Sequence, residues 1–260
     1  PFHFNNWKFN VLPPSWLTDK YCGGVFILDK MHEKGVPRSK LLPLFTPGGV
    51  DSELFKPSMT ISEKANLREK LGIPSENLVI AWLGRIESNM EVRNTLKLVK
   101  ELKERGLDKL TFLIIGDGEW RSTLLRLAEE SKILSDVVYV GYIPQKMIPQ
   151  YLEIVDIMPL LDKDPMGGSL IREAMACSTT VLSVDGESGE QRHLIENNVT
   201  GSLVGPQNYV SDAADVCLSL FAKPERMIAL GVAARKFAVN EMNFHKISRK
   251  LEKEIKLLLF

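Results

Sequence analysis

Three short strand-end segments of this 260-residue chain are informative, and two of them carry residue types and spacings suited to holding a phosphorylated ligand. Gly84-Arg85 directly follows an apolar run at 78–83. A guanidinium there would project over the end of a strand and bind a diphosphate through two parallel N–H donors. The other reading of Arg85 is a surface cation paired with Glu87 or Glu91, and position alone leaves both open. In the second segment, Pro165-Met166-Gly167-Gly168-Ser169 runs into Leu170-Ile171-Arg172-Glu173-Ala174-Met175-Ala176. Two glycines and a serine opening a helix let the backbone approach a phosphate, whose charge the helix N-terminus stabilises. Glu173, four residues after Ser169, falls on the same helix face one turn in, where a carboxylate can accept from the two hydroxyls of a ribose. The alternative makes Ser169 an ordinary N-cap and Glu173 a solvated helix residue. The third segment, Gly116-Asp117-Gly118, is a strand-to-helix turn; Arg121 stands where a dinucleotide fingerprint requires glycine.

Other chemistries find no support in the residue pattern. His3, His32, His193 and His245 are scattered, and neither they nor Cys22, Cys177 and Cys217 fall at metal-ligand spacing. Ser183 and Ser188 lie outside any G-x-S-x-G elbow, and there is no G-x-x-x-x-G-K-[ST] phosphate loop.

The elements that must position the three segments are readable from hydrophobic patterning. Runs at 78–83, 110–115 and 137–140 end in Gly84, Gly116 and Gly141; runs at 154–158 and 180–184 end in Pro159 and Asp185. Continuous rather than alternating apolar runs suit parallel strands covered on both faces. Between them, Val92, Leu96, Val99 and Leu102 form one helical stripe that Gly106 terminates, and Trp120, Leu124, Leu127 and Ala128 form another. Thr60-Ile61-Ser62-Glu63 is a capping-box signature for a helix ending near Gly72. Repeated strand–helix units predict an α/β fold with a doubly wound parallel sheet, whose ligands bind at the carboxyl ends of the strands. Residues 1–45 stand outside this repeat: a strand-like run at 24–28, a short helical stretch and a turn at Gly35-Val36-Pro37 read as the last unit of a preceding domain. Residues 243–258 read as a final helix with Ile247, Leu251 and Ile255 on one stripe.

Composition agrees with an ordinary globular chain. It is 44% hydrophobic and 25% charged, and 33 Lys+Arg balance 33 Asp+Glu, which speaks against a dedicated nucleic-acid binder. Three separated cysteines fit buried thiols in a reducing cytosol. The chain opens on Pro1 rather than Met, and the expectation is that the protein's true start lies upstream.

Taken in order, the segments resemble the retaining GT-B glycosyltransferases of the glycosyl transferases group 1 family. Thr46-Pro47-Gly48-Gly49-Val50-Asp51 through Phe55-Lys56-Pro57 is similar to the family's hinge motif, and Leu83-Gly84-Arg85-Ile86 to its phosphate-binding segment. Ile115-Gly116-Asp117-Gly118, Val140-Gly141-Tyr142-Ile143-Pro144, Arg172-Glu173-Ala174-Met175-Ala176-Cys177 and Asn198-Val199-Thr200-Gly201 follow in family order. The resemblance implies two Rossmann-like domains with the nucleotide sugar held mainly by the second. Residues 1–45 would then be a remnant of the N-terminal acceptor-side domain, 46–242 the nucleotide-sugar-binding domain, and 243–260 a helix crossing back.

By the same resemblance Arg85 binds the donor diphosphate and Glu173 the ribose, and these two carry the catalytic assignment. Backbone at Gly167, Gly168, Ser169 and Leu170 meets the phosphates, Gly49 and Gly118 belong to the donor-binding set, and Tyr142 and Ile143 line the base. The implied activity is transfer of a hexose from a nucleotide diphosphate sugar to a lipid-linked, sugar or small-molecule acceptor, with no metal or other cofactor. The implied setting is cytoplasmic, with a peripheral place at the membrane face as the alternative, and the fragment alone is expected to be inactive. Two positions depart from the pattern: Met90 replaces a phosphate-binding lysine, with Arg93 as its candidate substitute, and Pro165 replaces a sugar-contacting glutamate, with Asp162 and Asp164 just before it. Those departures motivate a second reading, a GT-B module that binds a nucleotide sugar or diphosphate without turnover.

Overall fold

A computed structural model describes residues 21–23, 25–43, 49–87, 90–162, 168–186 and 191–259. Two short strands, β1 (Tyr21–Gly23) and β2 (Leu41–Pro43), pair in parallel around the helix α1 (Val25–Glu33). The main body follows as α2 (Ile61–Lys70), β3 (Leu78–Leu83), α3 (Met90–Glu104), β4 (Leu110–Ile115), α4 (Arg121–Glu130), β5 (Val137–Gly141), α5 (Ile148–Leu152), β6 (Ile157–Leu160), α6 (Gly168–Ala176), β7 (Thr180–Val184), α7 (Gln191–Leu194), β8 (Ser202–Val204), α8 (Tyr209–Phe221), α9 (Pro224–Glu241) and α10 (Phe244–Leu259).

Strands β3–β8 form one six-stranded parallel sheet in the order β5-β4-β3-β6-β7-β8. The chain winds outward from β3 to β5, returns to lay β6 beside β3, then winds the other way. The strand order therefore reverses between β3 and β6, and a crevice is expected beyond their carboxyl ends. Along β3, Leu78, Ile80 and Trp82 enter one core while Val79 and Ala81 enter the other. Both faces are buried, which is why the run carries no polar alternation. The first core receives α3, α4 and α8 through Val92, Leu124 and Cys217; the second receives α6 and α9 through Ile171, Met175 and Ala234. Cys177 and Cys217 are buried thiols, and burial pushes each up to about 12, so neither is a nucleophile at neutral pH.

Local signals place the helices. Glu63 N–H donates to Thr60 Oγ1 at 3.2 Å while Thr60 N–H donates to Glu63 at 2.7 Å, closing both halves of the capping box on α2. Gly72 and Gly106 take positive φ just past α2 and α3, the left-handed geometry that ends a helix. All four stripe residues Val92, Leu96, Val99 and Leu102 are buried.

Two sequence expectations are corrected. The run at 24–28 is not a strand: residues 25–28 begin α1, with Leu28 and Met31 buried one helical turn apart. A short apolar run fits a buried helix as well as a strand, and here its continuation through Met31 decides for the helix. The fourth sheet strand is Ile157–Leu160 rather than 154–158. Ile154 and Val155 sit buried in the turn after α5, and Asp156 is held there, accepting from Val79 N–H at 2.7 Å and from Arg68 Nη2 at 2.9 Å. Pro159 thus lies inside β6, where it has no N–H to give; the ladder between β6 and β3 consists of the single pair Ile80↔Ile157.

Candidate functional site

The strand-order reversal between β3 and β6 is bordered by the two segments whose chemistry is most specific. Arg85 stands one residue past the Gly84 that ends β3, and α6 opens at Gly168 after the loop leaving β6. The Arg85 loop is held by its neighbours rather than by its own side chains. Gly84 N–H donates to Ile115 O at 3.0 Å, Ile86 N–H to Asp117 O at 3.1 Å and Trp120 N–H to Ile86 O at 3.1 Å. Gly116 N–H donates in turn to Gly141 O at 2.8 Å, so the loops after β3, β4 and β5 are stitched together beyond the sheet.

That stitching explains the glycines. A Cβ on Gly116 would collide with the Gly84 carbonyl, and one on Gly118 with the Ile86 carbonyl. Gly118 therefore has a packing requirement of its own, independent of the ligand role expected for it. Gly49 is similar: a Cβ there would strike the Met242 carbonyl, because Val50 pairs with Asn243 across the start of the domain. Gly201 completes the set, since its Cβ would lie 2.7 Å from Val181 Cγ2 under the turn that leads into β8.

Arg85 itself is open to solvent, its side chain 80% exposed, with Nη1 3.3 Å from Glu87 Oε1. The pairing with Glu87 left open by the sequence is present, and at such exposure an ion pair is too weak to hold the guanidinium against an anionic ligand. Ser169 is the second residue of α6, inside the helix rather than at its N-cap, and is exposed; Gly168 before it is buried and Leu170 is half-buried. Gly167, Asp164 and Pro165 lie outside the described residues, as do 187–190.

Glu173 lies one turn into α6, half-buried, its carboxylate with no hydrogen-bond partner among the described residues. Burial raises its carboxyl to about 7, against the opposing pull of the Arg172 guanidinium. A carboxyl poised near neutrality at the mouth of a crevice is a group whose charge a ligand can set. Tyr142, 78% exposed, follows the edge strand β5, and Ile143 beside it packs against the second core.

Asn94 and Arg93 buttress this end of the sheet and Arg235 ties the opposite one; of the three only Arg93 stands out in the sequence. Asn94, fully buried in α3, donates from Nδ2 to Leu161 O at 2.8 Å and to Tyr209 Oη at 3.1 Å, fixing the start of the loop between β6 and α6. Arg93 places its guanidinium 4.5 Å from the centre of the Trp120 ring. Arg235 of α9 donates from Nη1 to Phe55 O at 2.7 Å and to Ala176 O at the end of α6. A polar residue beside the Val92–Leu96 stripe was the available signal for Asn94; Arg235 joins distant segments and leaves none. A separate groove of about 710 Å³, lined by Lys64, Arg68, Glu69, Pro74 and Glu76 among others, lies at the amino ends of the strands. Its carboxylates Glu153 and Asp156 are occupied: Glu153 accepts from Ser58 N–H at 2.8 Å and Met59 N–H at 3.1 Å.

Among the described residues no group of His, Cys, Asp and Glu could hold a metal ion, and no helix is long and apolar enough to cross a membrane.

Both the sequence and the fold of this chain have known counterparts. The sequence model of the family described as glycosyl transferases group 1 matches residues 63–237. The chain is 29% identical over 187 residues to a 2-deoxystreptamine glucosyltransferase of Streptomyces kanamyceticus, covering 71% of this chain and 47% of that protein. It is 28% identical over 203 residues to a GDP-mannose-dependent alpha-(1-6)-phosphatidylinositol monomannoside mannosyltransferase of Mycolicibacterium smegmatis, covering 75% and 51%. It thus spans about half the length of these relatives. Among solved structures, Anabaena HepE in complex with UDP superposes with a TM-score of 0.77 at 16% identity, over 92% of this chain and 64% of that one. The C-terminal domain of the group 1 protein LpcC of Francisella tularensis superposes with a TM-score of 0.63 at 17% identity, over 75% of this chain and 99% of that one.

Proposed function

Because the chain belongs to the glycosyl transferases group 1 family, we propose that it is the donor-binding half of a retaining glycosyltransferase. The parent protein transfers a hexose from a nucleotide diphosphate sugar to an acceptor held mainly by another domain. The observation that carries this reading is the position of Arg85 and α6 on either side of the β3/β6 strand-order reversal. In the division we propose, residues 46–242 bind the donor, 1–45 are the remnant of the acceptor-side domain, and α10 crosses back towards it. A solved C-terminal domain that superposes almost whole on 75% of this chain is in keeping with one fold unit of that extent.

Arg85 and the backbone of Gly168, Ser169 and Leu170 take the diphosphate, with Gly167 just before them in the sequence. Glu173 accepts from the ribose, and Tyr142 and Ile143 flank the base. As the glycosidic bond breaks, charge collects on the departing diphosphate, and the fixed guanidinium and helix N-terminus stabilise it without reorganising. The relatives named above act on an aminocyclitol and on a lipid, so the acceptor is assigned only as a sugar, small molecule or lipid-linked sugar. The work is assigned to the cytoplasm, peripheral at the membrane where the acceptor is lipid-linked.

Arg85→Ala in the parent protein tests the assignment. Turnover should fall on the order of a hundredfold with an unchanged melting temperature, because the side chain is exposed and stabilises mainly the transition state. Unchanged turnover sinks it. The second reading, binding without turnover, draws on Met90 opening α3 where the resemblance expects lysine. Acceptor-dependent release of nucleoside diphosphate decides for the enzyme; donor binding without release decides for the module.

A further inference from the structure

Helix α10 divides its side chains between two opposite faces. Ile247 and Leu251, one turn apart, are half-buried, and Ile247 Cδ1 lies 2.8 Å from the point that a Cβ on Gly49 would occupy. That face is turned to the protein. Lys246, Arg249, Lys250, Lys253 and Lys256 are all exposed. Their helical spacing gathers them into about a third of the circumference, opposite the apolar stripe, along about 15 Å of the axis. Deepening the peripheral placement proposed above, and resting on it, we infer that this basic face is the surface by which the chain sits on an anionic phospholipid bilayer.

The surplus is local. The whole chain balances 33 Lys+Arg against 33 Asp+Glu, so no general excess of base accounts for five cations on one helix face. By spacing, Glu252 and Glu254 fall at the two margins of the face, and Glu252 pairs with Lys256 at 2.7 Å.

The arrangement also works against its own helix. Lys246 stands in the first turn, where the helix N-terminus disfavours a cation, and that turn holds no acid to offset it. Lys246 and Lys250, Arg249 and Lys253, and Lys253 and Lys256 are like charges at the spacings that destabilise an isolated helix. Negative charge spread along a plane relieves these repulsions together.

The shape and chemistry of the face select the partner. None of the five is aromatic, so the face offers no platform for the stacked bases of a nucleic acid. The apolar stripe is turned inward, which leaves contact with headgroups rather than insertion among the acyl chains. Salt must therefore weaken the attachment.

Co-sedimentation of the 260-residue chain with vesicles of equimolar phosphatidylglycerol and phosphatidylcholine tests this, with pure phosphatidylcholine as the control. The chain should bind the anionic vesicles at low salt, leave the neutral ones, and come off at about 0.3 M salt. The triple variant Arg249→Gln, Lys250→Gln, Lys253→Gln should weaken partition on the order of a hundredfold. A second triple variant, Lys70→Gln, Lys109→Gln, Lys146→Gln, removes the same charge from exposed positions elsewhere and should stay within about threefold. All six side chains are exposed, so neither variant should melt appreciably lower. Equal partition of the two variants overturns the inference and leaves the peripheral placement to another surface. Equal binding of neutral and anionic vesicles overturns it too, because the apolar stripe is then the contact. Binding of single-stranded RNA in preference to vesicles makes the face a nucleic-acid surface and likewise overturns it. If the unaltered chain binds neither vesicle, the placement fails and the inference with it.

Discussion

Gly118 and Ile86 meet backbone to backbone: the space a Cβ on Gly118 would need is already filled by the Ile86 carbonyl group. Neither partner is the flexible end of a side chain, so neither can swing aside. Gly118→Ala is therefore expected to destabilise the chain by about 1–3 kcal/mol and to lower its melting temperature by several degrees. The same substitution displaces the Arg85 loop, so nucleotide affinity should fall with it. An unchanged melting curve would show that the loops after β3 and β4 are looser than their hydrogen bonds imply.

Glu173 gives the donor site a pH dependence whose sign follows from its environment. Burial holds its carboxyl up to about 7 from an ordinary 4.5, and a ribose hydroxyl that donates to it selects the ionised form. Affinity for a nucleotide sugar, whose doubly esterified diphosphate does not titrate here, should rise about tenfold between pH 6 and pH 8. Glu173→Gln should flatten that profile. Stability runs the other way: the folded chain binds this proton more tightly than the unfolded one, so Glu173 favours folding increasingly as pH falls from above 7 towards 4.5. Glu173→Gln should accordingly melt higher than the unaltered chain at pH 8 and converge with it near pH 4.5. A pH-independent affinity in the unaltered chain removes the ribose assignment.

Arg235 ties three otherwise separate backbones, donating to Phe55 O, to Ala176 O and, at 3.5 Å, to Ser52 O. Its charge also sits at the C-terminal end of α6, where a cation is favoured. Arg235→Ala should cost about 2–4 kcal/mol, and the loss should be local first. Hydrogen exchange at Val50 and Phe55, whose amides bond to Met242 O and Asp51 O, should accelerate well before that of β3. Uniform acceleration across the sheet would mean that Arg235 supports the whole fold rather than this corner.

How far the sequence reveals this molecule depends on whether a feature is local. The strands at Leu78–Leu83 and Leu110–Ile115 were legible because burial on both faces leaves an unbroken apolar run, and α3 because its stripe is long. Residues 25–28 misled because four apolar residues specify burial without a period. Ile154 and Val155 misled for the same reason, being buried by a turn rather than by the sheet. At the site, Arg85 and the segment that opens α6 were legible as strand-end loops, and the strand order shows that they flank the reversal between β3 and β6. The backbone that stands opposite Gly118, the Ile86 carbonyl, leaves no trace in the sequence. The stack of Arg93 on Trp120 joins two elements on successive strand–helix units, and no spacing rule links them.

The pairing of Val50 with Asn243 has a mechanical meaning. Val50 N–H bonds to Met242 O at 2.8 Å and Phe244 N–H bonds to Val50 O at 3.0 Å, so the segment leading into the sheet and the segment leaving it are clasped side by side. Tension along either segment loads both bonds together, in shear, and the bond from Asn243 Nδ2 to Ser52 Oγ across the same joint opposes rotation about it. The joint resists being drawn apart, and a twist imposed on α10 reaches Gly49 within a single residue's length.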